Sequence, residues 1–320
     1  MRLLAALLCL LTLLPMAARA QRADQASLDY RLSARALAPG VWVVEGDNAD
    51  FSPANGCNII NTAFIATGAG VLVINTGPSR RYGEQLRALI ARTAAEPVAQ
   101  VLHLNLHPDY FLGNQAFADV PRLATKLTRD GIAREAAAYE SNLYRLCGDW
   151  MKGTETLAPD RDFATPAATG QWRLGSRDFD WHALQGHTAS DLVLVDRTSG
   201  IAFVGGLVFA DRVPTTPHAR IPAWQASLDG LEALGLRTVV PSHGPVHEGR
   251  RGLAQTRAYL AWLDQSFARW AGQGLEMNEV LRAPVPEDFR RWAAFGTEYI
   301  RNVAHLYPLY ERQALGTAKP

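Results

Sequence analysis

Leu104-Asn105-Leu106-His107-Pro108-Asp109-Tyr110-Phe111-Leu112-Gly113-Asn114 is the stretch on which the reading of this chain turns. It follows an apolar run, residues 98–104, that reads as a buried strand, so its polar residues fall on the loop where that strand ends. A His and an Asp one residue apart on such a loop can aim at one point, as a borderline metal ion requires. Two ligands are too few, and the rest of the chain must supply the others.

Outward from this loop the pattern is strand, helix, strand. Val41–Val44, residues 58–66 and residues 70–74 are rich in β-formers, and the turn Thr67-Gly68-Ala69-Gly70 joins the last two. Gly77-Pro78 then breaks the strand, Ser79 stands ready to cap, and Leu86, Leu89 and Ile90 form an apolar stripe over Arg80–Thr93. Residues 128–152 read as a long helix. Strands are expected at 171–174, 179–184, 192–196, 201–209 and 237–240, and a helix at 224–234 stops at Gly235. From Arg250 the chain is mostly helical, with a last helix near 298–315. Two strand-then-helix halves predict an α/β fold of two sheets packed face to face, with helices outside and the strand-end loops along one edge.

Composition narrows the function. An apolar fraction of 48% in 320 residues supplies a full core, and a formal charge of +1 with both signs interspersed leaves no basic block for nucleic acid or a lipid surface. Arg2, the apolar run from Leu3 to Met16 and Ala18-Arg19-Ala20 form a secretory signal peptide, cleaved after Ala20. The run is too short for a comfortable membrane span, so the expected location is periplasmic or secreted, with no span after cleavage. Cys9 leaves with the signal. Cys57 and Cys147 then form either one disulfide or two buried thiols.

Two further turns present imidazoles. Gln185-Gly186-His187-Thr188-Ala189-Ser190-Asp191 lies between two strands, and Pro241-Ser242-His243-Gly244-Pro245 ends a later one. With His107 and Asp109 they make three imidazoles and one carboxylate, all on strand-end loops. At this point the chain resembles the metallo-β-lactamase-fold hydrolases, whose signature is His-x-His-x-Asp-His, a Gly-His turn, Gly-Asp after a strand, and Pro-x-His-Gly. Residues 77–83, 113–117 and 148–154 resemble more narrowly the exported branch called quinoprotein relay system zinc metallohydrolases. The resemblance implies a four-layer αββα sandwich over residues 21–250, with residues 251–320 a C-terminal helical extension packed on the same domain. It also implies zinc at His107, Asp109, His187 and His243.

The departures from the signature carry as much information. Asn105 stands at the first His position and Tyr110 at the last. Gly206 stands where a carboxylate bridges two metals, and Asn75 replaces an early Asp. A full family site holds one zinc on three His residues and a second on Asp, His and a bridging group. Here each set is short. Two functions of different class follow. The first is an exported zinc hydrolase with a reduced, single-ion site, in which Asp109 handles the water's proton while Asn105 or Tyr110 donates to an oxyanion, or Tyr110 ligates as phenolate. The second is a non-catalytic periplasmic accessory protein serving a quinoprotein or c-type cytochrome. Lys152, Asp211, Arg212 and His218 are candidates to hold a small-molecule substrate at the same edge.

Overall fold

The computed structural model describes residues 27–163 and 168–316, so the expected signal peptide and cleavage site lie outside the described residues. One sheet runs β1 (Arg35–Ala38), β2 (Val41–Val44), β3 (Thr62–Ala66), β4 (Val71–Ile74), β5 (Val98–Leu102), β6 (Arg122–Ala124) and β7 (Arg161–Asp162), each paired with the next. The second has the order β13 (His247–Glu248), β12 (Thr238–His243), β11 (Ile201–Phe209), β10 (Asp191–Asp196), β9 (Arg177–Leu184) and β8 (Thr169–Leu174). The helices are α1 (Arg80–Thr93), α2 (Pro108–Phe111), α3 (Lys126–Cys147), α4 (Ile221–Ala233), α5 (Arg251–Gly272), α6 (Met277–Val280), α7 (Glu287–Arg290) and α8 (Phe295–Ala314).

The period-two geometry of a strand explains the layering. In β3, Ala63 and Ile65 enter the core shared by both sheets, while Phe64 between them packs with Tyr82, Leu86 and Ile90 of α1. In β10, Leu192 and Leu194 face the shared core and Val193 packs against the helical layer. Strands buried on both faces read as unbroken apolar runs, which is why 71–74 and 201–209 show no polar alternation. The result is the expected αββα sandwich. Tyr259 and Leu263 of α5 and Val303 and Tyr307 of α8 join Trp224 of α4 on the outer face of the second sheet. Among the described residues no helix is long and apolar enough to cross a membrane.

Parallel pairing sets the functional edge. β4 and β5 are joined across α1 and run parallel, as do β11 and β12 across α4. The loops at the carboxyl ends of β5, β11 and β12, with the β9–β10 turn, meet at one side of the sandwich, where open α/β sheets hold their ligands.

Several boundaries differ from expectation. The long helix ends at Cys147 rather than 152, because Gly148 takes φ +58°, a left-handed conformation that stops a helix. A short 3₁₀ turn follows over Gly148–Met151. Helix α8 begins at Phe295. Cys57 and Cys147 are disulfide-bonded with Cα atoms 5.9 Å apart, tying the loop before β3 to the end of α3. Ser79 caps α1 as expected, its hydroxyl accepting from the Tyr82 N–H at 3.0 Å.

Candidate active site

A cavity of about 340 Å³ opens at this edge. His107, Asp109, His218 and His243 line it, together with Glu298, Arg301 and His305 of α8. The expected ligands are brought together, but as two separate groups.

The first group is imidazole. His107 Nε2 lies 3.1 Å from His218 Nδ1, so one ring donates to the other. The His107 and His187 rings meet edge-on, with centroids 4.6 Å apart. Burial holds His107 well below the ordinary imidazole range, and the neighbouring rings push the same way. The turn carrying His187 depends on Gly186, which has φ +143° and whose added Cβ would stand 2.2 Å from the Trp224 backbone. His187 Nδ1 lies 3.4 Å from the Asn105 amide nitrogen, and its Nε2 lies 3.2 Å from Thr215 Oγ1. Both ring nitrogens thus have polar neighbours within the protein.

The second group is Asp109 with His243. The His243 Nδ1–H donates to the Ile59 carbonyl at 2.9 Å, and burial keeps the ring neutral. Its Nε2 lone pair therefore faces Asp109 Oδ2 at 3.5 Å, an oxygen without a hydrogen-bond partner. When Asp109 is ionised two acceptors face each other with no donor between them; when it is protonated its O–H can serve the ring. Burial pushes the Asp109 carboxyl up to about 7, partly opposed by a backbone N–H and by Arg212.

Two of the expected catalytic residues serve other roles. Asn105 is fully buried; its amide nitrogen donates to Asp191 and contacts Thr188 Oγ1 at 3.3 Å, while Oδ1 accepts the His107 N–H at 3.0 Å. It positions His107 and His187 and has no N–H left for an oxyanion. Tyr110 points into the core between the sheets, fully buried, with its hydroxyl unpartnered. Burial drives that hydroxyl well above its ordinary pKa, so a phenolate ligand is disfavoured. Asn75, at φ +58°, holds the motif loop instead, its Oδ1 accepting the Leu104 N–H at 3.1 Å.

Gly206 is not a gap. A Cβ there would stand 2.0 Å from His187 Nδ1, so the imidazole covers the place a bridging carboxylate would grow from. Of the substrate candidates only His218 reaches the wall. Lys152 pairs with Asp149 at 2.5 Å, Asp211 binds Arg251 and Gln255, and Arg212 is buried behind the wall against Glu298. Sequence reasoning missed Glu298, Arg301 and His305, although their spacing of three and four residues places them on one face of a helix. It also missed Asn142 and Arg145 of α3. Among the described residues, no three or more His, Cys, Asp or Glu side chains converge tightly enough to hold a metal ion as they stand. The unpartnered Asp109 oxygen and the His243 lone pair beside it supply two donors toward one ion, and a third must come from a further side chain or from water. The covered Gly206 and the inward Tyr110 do not fit a second.

The fold and this ligand pattern define a class: the chain belongs to the metallo-beta-lactamase superfamily, whose family model matches residues 55–243. Among solved structures it is similar to a metallo-beta-lactamase from Pontibacter korlensis, at 22% identity and TM-score 0.58 over 72% of this chain and 99% of that one. A metallo-beta-lactamase from Hirschia baltica is similar at 19% and 0.57, over 72% and 97%. Among characterised proteins it is similar to a linear primary-alkylsulfatase from a Pseudomonas species, 21% identical over an alignment of 277 positions that covers 74% of this chain and 52% of that protein. The chain thus spans about half the length of that relative.

Proposed function

We propose that this chain is an exported, zinc-dependent hydrolase with a reduced site that holds one ion. The observation that carries the reading is the Asp109–His243 pair, a buried carboxyl oxygen and a neutral imidazole lone pair 3.5 Å apart. A proton on Asp109 resolves that opposition at low pH, and a cation resolves it where the carboxyl is ionised. Asp109 and His243 would hold the ion, with His107 a further donor lining the same cavity. Zinc there supplies Lewis acidity to a scissile bond and lowers the pKa of water towards ~7. The chain's own residues do the rest. Asp109 would take the proton of the attacking water, and Asn105 fixes the loop that carries His107 through the His107 N–H.

The wall favours a substrate with an apolar part and an anionic part. Phe51, Leu146 and Pro217 line the cavity beside Arg145, whose guanidinium contacts Asn142 and has no acidic partner among the described residues. A linear alkyl sulfate, the substrate class in the relative's name, is therefore the first compound to try. Purification without chelator and metal analysis test the reading. One zinc per chain with turnover of an ester probe supports it, and a trace of zinc overturns it.

A second reading rests on Gly206. With a ring over that position and no three-ligand group assembled, the fold also suits an accessory protein that binds the same ligand without cleaving it, in the service of a quinoprotein or cytochrome. Tight binding of the alkyl sulfate without turnover, with or without zinc, supports this reading over the first.

A further inference from the structure

Asn61 lies one residue before β3, 4% exposed and off the cavity lining. Its side-chain amide donates to the Pro241 and Gly244 carbonyls, each at 2.8 Å, and its backbone N–H donates to the Ser242 carbonyl at 2.7 Å. Its Oδ1 accepts the Gly46 N–H at 3.1 Å, so both amide hydrogens and the oxygen are spent inside the protein. One residue thus holds the carbonyls on both sides of His243. The carbonyl of His243 itself accepts the Ala210 N–H at 3.3 Å.

Two residues upstream, the Ile59 carbonyl accepts from the His243 ring at 2.9 Å. The Ile59 N–H donates to the Cys57 carbonyl at 3.0 Å, and Cys57 is tied to the end of α3 by the disulfide. The clamp on the turn and the acceptor of the ring therefore share one short segment, residues 57–61. A carbonyl only accepts, so the ring proton is on Nδ1 and the lone pair is on Nε2, on the side of Asp109. The bond made by one imidazole nitrogen decides whether the other is free, and such outer partners govern metal affinity by about tenfold to a hundredfold. We propose that Asn61 is the positioning residue of the site: by pinning the 241–244 turn to the segment that carries Ile59, it selects the His243 tautomer whose Nε2 is free to bind. The consequence for an ion rests on the single-ion reading above; the selection of the tautomer does not.

The test is the tautomer of His243 in the metal-free chain, read from long-range proton–nitrogen correlation spectra at about pH 8, where imidazoles are neutral, and assigned with His243→Gln. The wild type is expected to carry the proton on Nδ1. In Asn61→Ala the share with the proton on Nε2 should rise about fivefold, the worth of one hydrogen bond. Thr62→Val is the control, because Thr62 is fully buried and bonds Tyr82 of α1 at 3.0 Å instead. It should melt lower than the wild type with the His243 signal unmoved. A wild-type ring protonated on Nε2, an unmoved tautomer in Asn61→Ala, or an equal shift in Thr62→Val overturns the proposal. If Asn61→Ala does not fold, Asn61→Ser, which leaves one donor for the two carbonyls, is read in the same way. Failure of both to fold overturns the proposal, since the residue then acts on the whole fold rather than on His243. No zinc and no substrate enter the measurement, so the hydrolase reading stands or falls separately, by its zinc content.

Discussion

The two sides of the cavity floor have departed from the family site in opposite ways. On the imidazole side Asn105 replaces a His, yet His218 arrives from the loop before α4 and bonds His107 at 3.1 Å, so the local chemistry is nearly restored. On the carboxylate side Tyr110 turns into the core, Gly206 is covered by His187, and buried arginine fills the surroundings. An imidazole is thus brought beside His107 where a neighbouring loop can reach, and the position is sealed over where the fold's own core lies against it.

The largest expected effect comes from undoing the sealed side. Gly206→Asp puts a Cβ 2.0 Å from His187 Nδ1, and overpacking plus a buried charge should cost at least about 3 kcal/mol. Thermal melting should show a large drop without a gain of zinc; a stable variant carrying two ions would break the comparison. Next in size is a pH effect beneath the same loop. Burial lowers the His103 imidazole to about 4, and its Nδ1–H donates to the Tyr110 carbonyl at 3.0 Å. The folded state thus keeps it neutral while the unfolded chain protonates it near 6.5. Its contribution is present above pH 6.5 and lost as pH falls through about 4. That is roughly 3 kcal/mol by proton linkage. Denaturant titrations should show this slope in the wild type and a shallower one in His103→Gln.

On the restored side, His218→Ala should weaken zinc binding about tenfold, or ~1.4 kcal/mol, measured with a competing chelator. An unchanged affinity would mean that His218 merely packs. The smallest effect belongs to Tyr110→Phe. Its hydroxyl has no partner, so removal should shift stability by less than about 1 kcal/mol and leave zinc affinity unchanged. A large loss of zinc would restore the phenolate as a ligand.

Most of the fold was legible because it rests on local signals. Ser79 capped where it should, the 71–74 and 201–209 runs formed doubly buried strands, and His107, Asp109, His187 and His243 fell at or just past the carboxyl ends of strands. What was not legible depends on which way a side chain turns. Nothing in the sequence tells that Tyr110 faces the core, that Asn105 spends its amide on Asp191, or that Lys152 is tied to Asp149. The α8 wall was hidden for another reason. Glu298, Arg301 and His305 share a helical face, but that face gains meaning only once α8 is packed across the cavity mouth. Between one disulfide and two thiols the sequence could not choose, since only the fold brings Cys57 and Cys147 within 5.9 Å.

The central claim is that this edge keeps chemistry for one ion and no more. Metal analysis of the chain purified without chelator and then dialysed against excess zinc tests it directly. The account predicts one zinc per chain. Two tightly held ions, or a trace, would contradict it.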